Sequence, residues 1–118
     1  NLLLQAHYKR NKKCLLTMLT FKSSEPEKCG VVELNEENIV VQFYEKVKNP
    51  PSNIANGAVF AFESEFIEKV NNIKPIPKDF SKDVIPYFLG KIQTCYDSSK
   101  FLDIGTPKNL KLANKFFK

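Results

Sequence analysis

Apolar residues along the chain fall into short runs, separated by polar segments that contain proline, glycine or asparagine, and this pattern predicts several short strands. The clearest signal is "GVVELNEENIVVQFYEK", in which two alternating apolar runs flank Asn35 to Asn38. That arrangement predicts a β-hairpin with a four-residue loop. Further strands are predicted in "CLLTMLTF", "GAVFAFES", "IQTCYDS" and "KFLDI".

Other segments carry apolar residues at helical spacing. The start, "NLLLQAHYKRNKK", is typical of a helix end with a cationic last turn, and "SEFIEKVNNI" predicts a short helix. A third helix is predicted to begin near Asp79 or Ser81 and to end at Gly90, and a last one to begin at Thr106-Pro107. Strands that interleave with helices predict an α/β fold with a mixed sheet, and the hairpin predicts an antiparallel portion.

Length and composition suit one domain, residues 1–118, with a modest core. The formal net charge is +5, and the densest basic run, Lys9 to Lys13, is interpreted as a solvated surface rather than a nucleic-acid patch. No apolar run is long enough to span a bilayer, so no membrane partner is expected. The cysteines, Cys14, Cys29 and Cys95, show neither a CxxC pair nor ligand spacing, which predicts free thiols and a cytoplasmic location.

Two places carry candidate chemistry. Glu45 and Lys46 end a predicted strand before a double proline, and Asn56-Gly57 begins the next strand. A lysine can neutralise a phosphate and a glutamate can accept hydrogen bonds from hydroxyl groups, but a solvent-exposed ion pair is the simpler interpretation of these two charges. The second place is Asp103 in "KFLDIGTP", which suits either a Mg²⁺ ligand or a residue that caps the last helix.

The segments "CGVVELNEENIVVQFYEKVKNPPSNIANGAVFAFE", "DFSKDVIPYFLGKI" and "FLDIGTP" resemble, in order and spacing, the nucleotide-sugar pyrophosphorylases, also called sugar-1-phosphate nucleotidylyltransferases. The resemblance covers nearly the whole chain. It implies a Rossmann-like nucleotidyltransferase (GT-A-like) domain, and a reaction that joins a sugar 1-phosphate to a nucleoside triphosphate with release of pyrophosphate. Overall likeness to the guanylyltransferases favours GTP and a manno-configured sugar, mannose or a manno-heptose.

The resemblance also implies residue roles. Gly30 would lie against the sugar, Glu45 would bind sugar hydroxyls, and Lys46 would hold the sugar phosphate. Asn56 and Gly57 would border the sugar, and Asp103 would be a ligand of the Mg²⁺ cofactor. On this basis, functional roles at Glu45, Lys46 and Asp103 become the preferred interpretation.

The sequence departs from the family pattern in two respects. Val47 stands where the family has proline, and no glycine-rich loop that could cradle a triphosphate is present. The chain is therefore interpreted as the C-terminal, sugar-phosphate-binding half of the catalytic domain, inactive by itself. We expect it to self-associate or to be covered by a second chain where the other half would pack. A catalytically silent binding or assembly module is the alternative.

Overall fold

The computed structural model describes residues 2–97. The predicted strand "KFLDI", the predicted helix from Thr106 and the candidate Asp103 lie outside the described residues. Within residues 2–97, no helix is long and apolar enough to cross a membrane.

Within residues 2–97, five of the predicted strands form one mixed sheet. They are β1 (Leu16–Lys22), β2 (Gly30–Leu34), β3 (Val40–Glu45), β4 (Ile54–Phe62) and β5 (Ile92–Tyr96). The strand order is β3-β2-β4-β1-β5; β1 and β5 are parallel, and the other neighbouring pairs are antiparallel. Each of the described strands corresponds to an apolar run in the sequence, and β4 begins at Ile54, before the Gly57 at which its run was expected to start.

Strand β1 lies between β4 and β5, and its first five residues are all buried because both of its faces are covered. Leu16 and Met18 point to one face, where they join the larger core cluster, and Leu19 points to the other face, where it packs with Leu3. The other buried members of the larger cluster are Val32, Val40, Phe66, Ile73, Val84, Ile85, Phe88 and Ile92.

The predicted hairpin is confirmed, with five residues, 35–39, between its strands where a loop of four was expected. Residues 30–45, called the arm below, comprise β2, a turn and β3, with Gly30 directly opposite Glu45 at the open end. The side chain of Asn35 fixes the turn, because its Oδ1 accepts the backbone N–H of Glu37 at 2.8 Å and that of Ile39 at 3.1 Å.

The sheet curls so that its two outer strands meet at one end. Strands β3 and β5 occupy opposite borders of the sheet, yet Ile39 beside β3 forms an antiparallel bridge with Gln93 of β5. The larger core cluster therefore lies on the inner face of a curved sheet, and the turn of the arm rests against β5.

Two of the predicted helices are confirmed as α1 (Leu2–Tyr8) and α2 (Ser64–Asn71). The prediction of one regular helix from Asp79 or Ser81 is wrong. The segment forms a π-helical turn, Phe80–Val84, followed by a 3₁₀ turn, Ile85–Phe88. Pro86 explains the break, because it has no N–H to continue an α-helical ladder. Asp79 does cap the segment by accepting the N–H of Lys82 at 3.0 Å, and Gly90 follows it with a φ of 85°.

Candidate functional site

The open end of the arm meets β4 and β1 in one row across the sheet. Glu45 pairs with Gly30, and Asn56 pairs with Thr20. Val31 pairs with Ala55, so continuing that register by one residue places Gly30 opposite Asn56. Opposed residues of antiparallel strands share a face, and neighbouring strands lie about 4.8 Å apart. Glu45 and Asn56 therefore flank Gly30 on the inner face, with backbones about 10 Å apart.

Gly30 is tightly packed in this row. A Cβ at this position would lie 2.5 Å from the Cζ of Phe43 and 3.2 Å from Oε1 of Glu45. The ring of Phe43 thus lies across the backbone of the glycine, which gives Gly30 a packing role in addition to the sugar contact implied by the resemblance. Sequence reasoning missed Phe43, although the hairpin register alone puts it on the same face as Glu45, two residues along β3.

Lys46 follows the last residue of β3 with a left-handed backbone, at a φ of 53°. Its N–H donates to the carbonyl oxygen of Cys29 at 3.0 Å, which closes the open end of the arm. The side chain is exposed, and the structure records no ion pair between Lys46 and Glu45; among residues 2–97 the recorded pair is Lys28–Glu25. Among the described residues Glu45 and Lys46 thus form no ion pair, and the role of the Lys46 ammonium stays a prediction.

Asn56 and Gly57 differ in what they offer. The Oδ1 of Asn56 accepts the N–H of Ala58 at 2.8 Å, which leaves the side-chain NH₂ as a donor toward the inner face. Gly57 is buried, and a Cβ there would lie 2.9 Å from the carbonyl oxygen of Leu19. This close approach occurs at a bulge in the pairing of β1 with β4, where Ala58 has a φ of 59°. Gly57 thus serves strand pairing, and its contact with a sugar stays a prediction.

The row ends at a cavity of about 350 Å³ on the same inner face. Thr20, opposite Asn56, and Tyr96, opposite Thr20, form part of its wall. Its remaining lining residues are Leu34, Asn38, Ile54 and Thr94. The arrangement thus combines a carboxylate, an amide and a nearby ammonium with a partly apolar recess, which suits a polyhydroxylated ligand that carries an anionic group.

Residues 2–97 contain no cluster of three or more His, Cys, Asp or Glu side chains that could hold a metal ion. The described residues therefore do not by themselves fit a Mg²⁺ site. Asp103 lies outside them, so its convergence with Lys46 stays a prediction. The cysteines are free, and burial raises the pKa of the Cys14 and Cys95 thiols.

Comparison with known proteins supports the resemblance seen in the sequence. Mannose-1-phosphate guanylyltransferase of Mycobacterium tuberculosis is 27% identical over 106 residues, which is 86% of this chain and 29% of that protein. Glucose-1-phosphate adenylyltransferase of Bacillus mycoides is 30% identical over 119 residues, which is 95% of this chain and 32% of that protein. The chain thus spans about a third of the length of these relatives.

A solved structure shares the fold. It is a Bacillus anthracis protein assigned as a glucose-1-phosphate thymidylyltransferase, crystallised with sucrose, and it superposes with a TM-score of 0.66 at 23% identity. The match covers 90% of this chain and 44% of the other. The fold is therefore α/β and Rossmann-like. The profile of the family described as "Nucleotidyl transferase" matches residues 1–118, and the chain belongs to that family, which includes the nucleotide-sugar pyrophosphorylases.

Proposed function

We propose that the protein containing this chain transfers a nucleoside monophosphate from a nucleoside triphosphate to a sugar 1-phosphate, and that this chain supplies the sugar-phosphate side of the site. The observation that carries the proposal is the row Glu45–Gly30–Asn56, with the exposed Lys46 immediately beyond it. An acceptor, a donor and a cation at this spacing match the hydroxyls and the phosphate of one substrate.

In the proposed reaction, an oxygen of the sugar phosphate attacks the α-phosphorus of the triphosphate. The new P–O bond forms as the bond to the bridging oxygen of pyrophosphate breaks, and pyrophosphate leaves with that electron pair. Positioning and charge stabilisation supply most of the catalysis in such transfers. Here Lys46 would hold the attacking phosphate, while Glu45 accepts from ring hydroxyls and the NH₂ of Asn56 donates to one.

The sugar and the base are finer points of the proposal. We infer GTP with mannose or a manno-heptose from the overall likeness to guanylyltransferases, and a mannose-1-phosphate guanylyltransferase is among the relatives. A glucose-1-phosphate adenylyltransferase of similar identity is the competing assignment. Mg²⁺ would neutralise phosphate charge when bound, with Asp103 as the proposed ligand; no step above depends on it.

Lys46→Ala tests the proposal directly in the 118-residue chain. Calorimetric titration with mannose 1-phosphate and glucose 1-phosphate is expected to show affinity reduced about tenfold or more, because a charge-assisted hydrogen bond to phosphate is lost. Lys48→Ala is the matched control, since Lys48 is also exposed and two residues away, and its affinity should stay within about twofold of wild type. Equal affinities for wild type and Lys46→Ala, or no binding of either sugar phosphate, would exclude the proposed site.

Activity requires more than this chain. We expect no pyrophosphate release from the isolated 118 residues with GTP or dTTP, and release from a version extended upstream.

A catalytically silent module is the second candidate, and the ring of Phe43 across Gly30 favours it, since that ring lies where a sugar would approach. Phe43→Leu should strengthen sugar-phosphate binding if the ring blocks the site, and should leave it unchanged or weaker if the ring supports it.

The remaining proposals concern location and assembly. Free cysteines fit a reducing, cytoplasmic compartment. Leu2 and Leu4 on α1 and Phe62 and Ile67 near the start of α2 are exposed by 43% or more, so a second copy or another chain is proposed to cover such side chains. Sedimentation that shows only monomers of the 118-residue chain at all concentrations would argue against self-association.

A further inference from the structure

The arm carries three of the proposed binding residues: Gly30 and Glu45 in its strands, and Lys46 immediately after it. Val32, Val40, Leu34 and Phe43 pack the arm against the larger core cluster, and hydrogen bonds hold it to the rest of the molecule at two places. Near the open end, Val31 pairs with Ala55 of β4, and Ser52 Oγ donates to the carbonyl oxygen of Val32 at 3.1 Å. The other place is the turn and the start of β3, where the arm meets β5 and the segment before it.

Gln93 of β5 makes two of the side-chain contacts that hold the turn, and Asn11 Nδ2 makes another by donating to the carboxylate of Glu37. Gln93 Nε2 donates to the carbonyl oxygen of Glu37 at 2.9 Å and to that of Asn38 at 3.2 Å. Its Oε1 accepts the backbone N–H of Asn11 at 3.0 Å, so one amide joins the turn, β5 and the segment after α1. Gln93 is half-buried; its hydrogen bond with Asn11 is partly buried, and its two hydrogen bonds to the turn are exposed to solvent.

Neighbouring groups complete the attachment. Thr94 donates to the carbonyl oxygen of Asn38 from its backbone N–H at 3.0 Å and from Oγ1 at 2.7 Å. Gly90 N–H donates to the carbonyl oxygen of Val40 at 2.7 Å. Gln93 lies outside the row that Glu45, Gly30 and Asn56 form and is not among the lining residues of the adjoining cavity, whereas Asn38 and Thr94 do line that cavity.

The ladder of the arm connects this attachment with the site. Paired residues run from Gly30–Glu45 to Leu34–Val40, a length of about 14 Å, and they form one hydrogen-bonded unit. Asn56, in contrast, belongs to β4, outside the arm. The distance between Glu45 and Asn56 therefore depends on how the arm is oriented against the sheet, and a contact at the turn restricts rotation about the pair Val31–Ala55.

We propose that Gln93 is a positioning residue for the sugar-phosphate site, which rests on the function proposed above. By holding the turn against β5 it fixes the orientation of the arm, and so the spacing of Glu45 and Lys46 from Asn56. Gln93 acts through the arm and does not contact the substrate.

Gln93→Met tests the proposal in the 118-residue chain, because methionine keeps the length of the side chain and removes its hydrogen bonds. Titration with mannose 1-phosphate is expected to show affinity lowered about fivefold. A change of this size corresponds to the net free energy of about one hydrogen bond. Backbone amide NMR shifts of Gly30, Glu45 and Lys46 should change, while those of Phe66 and Ile67 in α2 should not. Gln42→Met is the matched control on the exposed side of the arm, and both readouts should stay at wild-type values.

The outcomes separate this proposal from the proposed function. If Gln93→Met is folded and binds like wild type while Lys46→Ala binds weakly, the positioning role is excluded and the site stands. If wild type binds no sugar phosphate, the proposed function has failed, and hydrogen exchange of the Lys46 amide then decides the structural coupling. Faster exchange in Gln93→Met supports the coupling, and unchanged exchange excludes it.

If Gln93→Met does not fold, Thr94→Val is the second variant, because it removes only the Oγ1 contact. It should shift the amide signals of Gly30, Glu45 and Lys46 in the same direction, and unchanged signals exclude the proposal.

Discussion

The pair β1–β4 and the arm are built on the same sheet but are held in different ways. β1 and β4 are in register over six residue pairs, and the first five residues of β1 are buried. The arm has one registered pair with β4; Val31, Val32 and Val40 are its buried strand residues, and its other strand residues are half-buried or exposed. Regions with fewer buried contacts open at lower free energy and more often carry binding residues. The arm, which carries Gly30 and Glu45 of the candidate site, is therefore the less firmly held of the two regions.

The largest expected effect on stability is for a substitution in the strand pair β1–β4. Met18→Ala removes a fully buried side chain from the larger core cluster and should lower the free energy of unfolding by about 2–5 kcal/mol. Urea denaturation followed by circular dichroism measures this. Gln42→Ala on the exposed side of the arm should change it by less than about 0.5 kcal/mol, and equal losses in both variants would remove the contrast between the two regions.

Gly57→Ala is expected to cost somewhat less, about 1–3 kcal/mol, because the new Cβ would meet the backbone oxygen of Leu19, which cannot move without disturbing β1. The neighbouring control is Ala58→Gly, which relieves the left-handed φ of Ala58 and should leave stability unchanged or slightly raised. Thermal unfolding of the two variants measures this difference: Gly57→Ala should unfold at a lower temperature than Ala58→Gly. A neutral Gly57→Ala would show that the close approach at the bulge is not a constraint.

Gly30→Ala should separate binding from stability. The added Cβ meets the end of the Phe43 ring, a side chain that can rotate away, so the expected loss of stability is about 1 kcal/mol or less. Because the displaced ring and the new methyl group occupy the inner face beside Glu45, affinity for mannose 1-phosphate should fall about tenfold. The double variant with Phe43→Leu should recover the stability. Recovery of affinity as well would mean that the ring, and not the methyl group, blocks the ligand.

The smallest effect concerns pH and lies on the outer face, away from the arm. His7 is buried against Thr17, with Nδ1 2.8 Å from Oγ1, and burial lowers the pKa of His7 below 6.5, assisted by Arg10 and opposed by Glu63. The unfolded chain therefore takes up the proton first, and stability should decline as the pH falls below about 6.5. Unfolding temperatures at pH 7.5 and 5.5 measure the decline.

His7→Asn should reduce that decline, since asparagine keeps a polar atom near the Nδ1 position and does not titrate. Asp83 does not contribute to the change in stability between pH 7.5 and 5.5. Backbone N–H groups of Lys78 and Asp79 lower the pKa of Asp83, so its contribution is lost only at more acidic pH. An identical decline in wild type and His7→Asn would assign the pH dependence to other groups.

Local patterns in the sequence predicted the described strands, α1, α2 and the hairpin, because alternation and the turn residues at Asn35 to Asn38 act over a few positions. The same reasoning failed at Phe80–Val84, where Pro86 outweighs a helical spacing of apolar residues. The meeting of Ile39 with Gln93 depends on how the whole sheet curls, and no local pattern encodes it.

The candidate site shows the same division. Glu45 and Gly30 could be identified from the sequence motif, and the register then aligned them with Asn56. Phe43 and Gln93 escaped notice because a phenylalanine and a glutamine in strands have no distinctive signature; their positions matter only through the register and the turn. The left-handed backbone of Lys46 was also unexpected, although Val47 permits it where a following proline would disfavour it.

The bridge between Ile39 and Gln93 has a consequence for aggregation. Outer strands with unpaired backbone groups act as templates on which further molecules add in fibril-like order. In this chain the turn of one outer strand occupies backbone groups of the other at one end of the sheet, so an incoming molecule must first displace Gln93 and Thr94 from that turn. That requirement disfavours fibril growth from this end of the sheet.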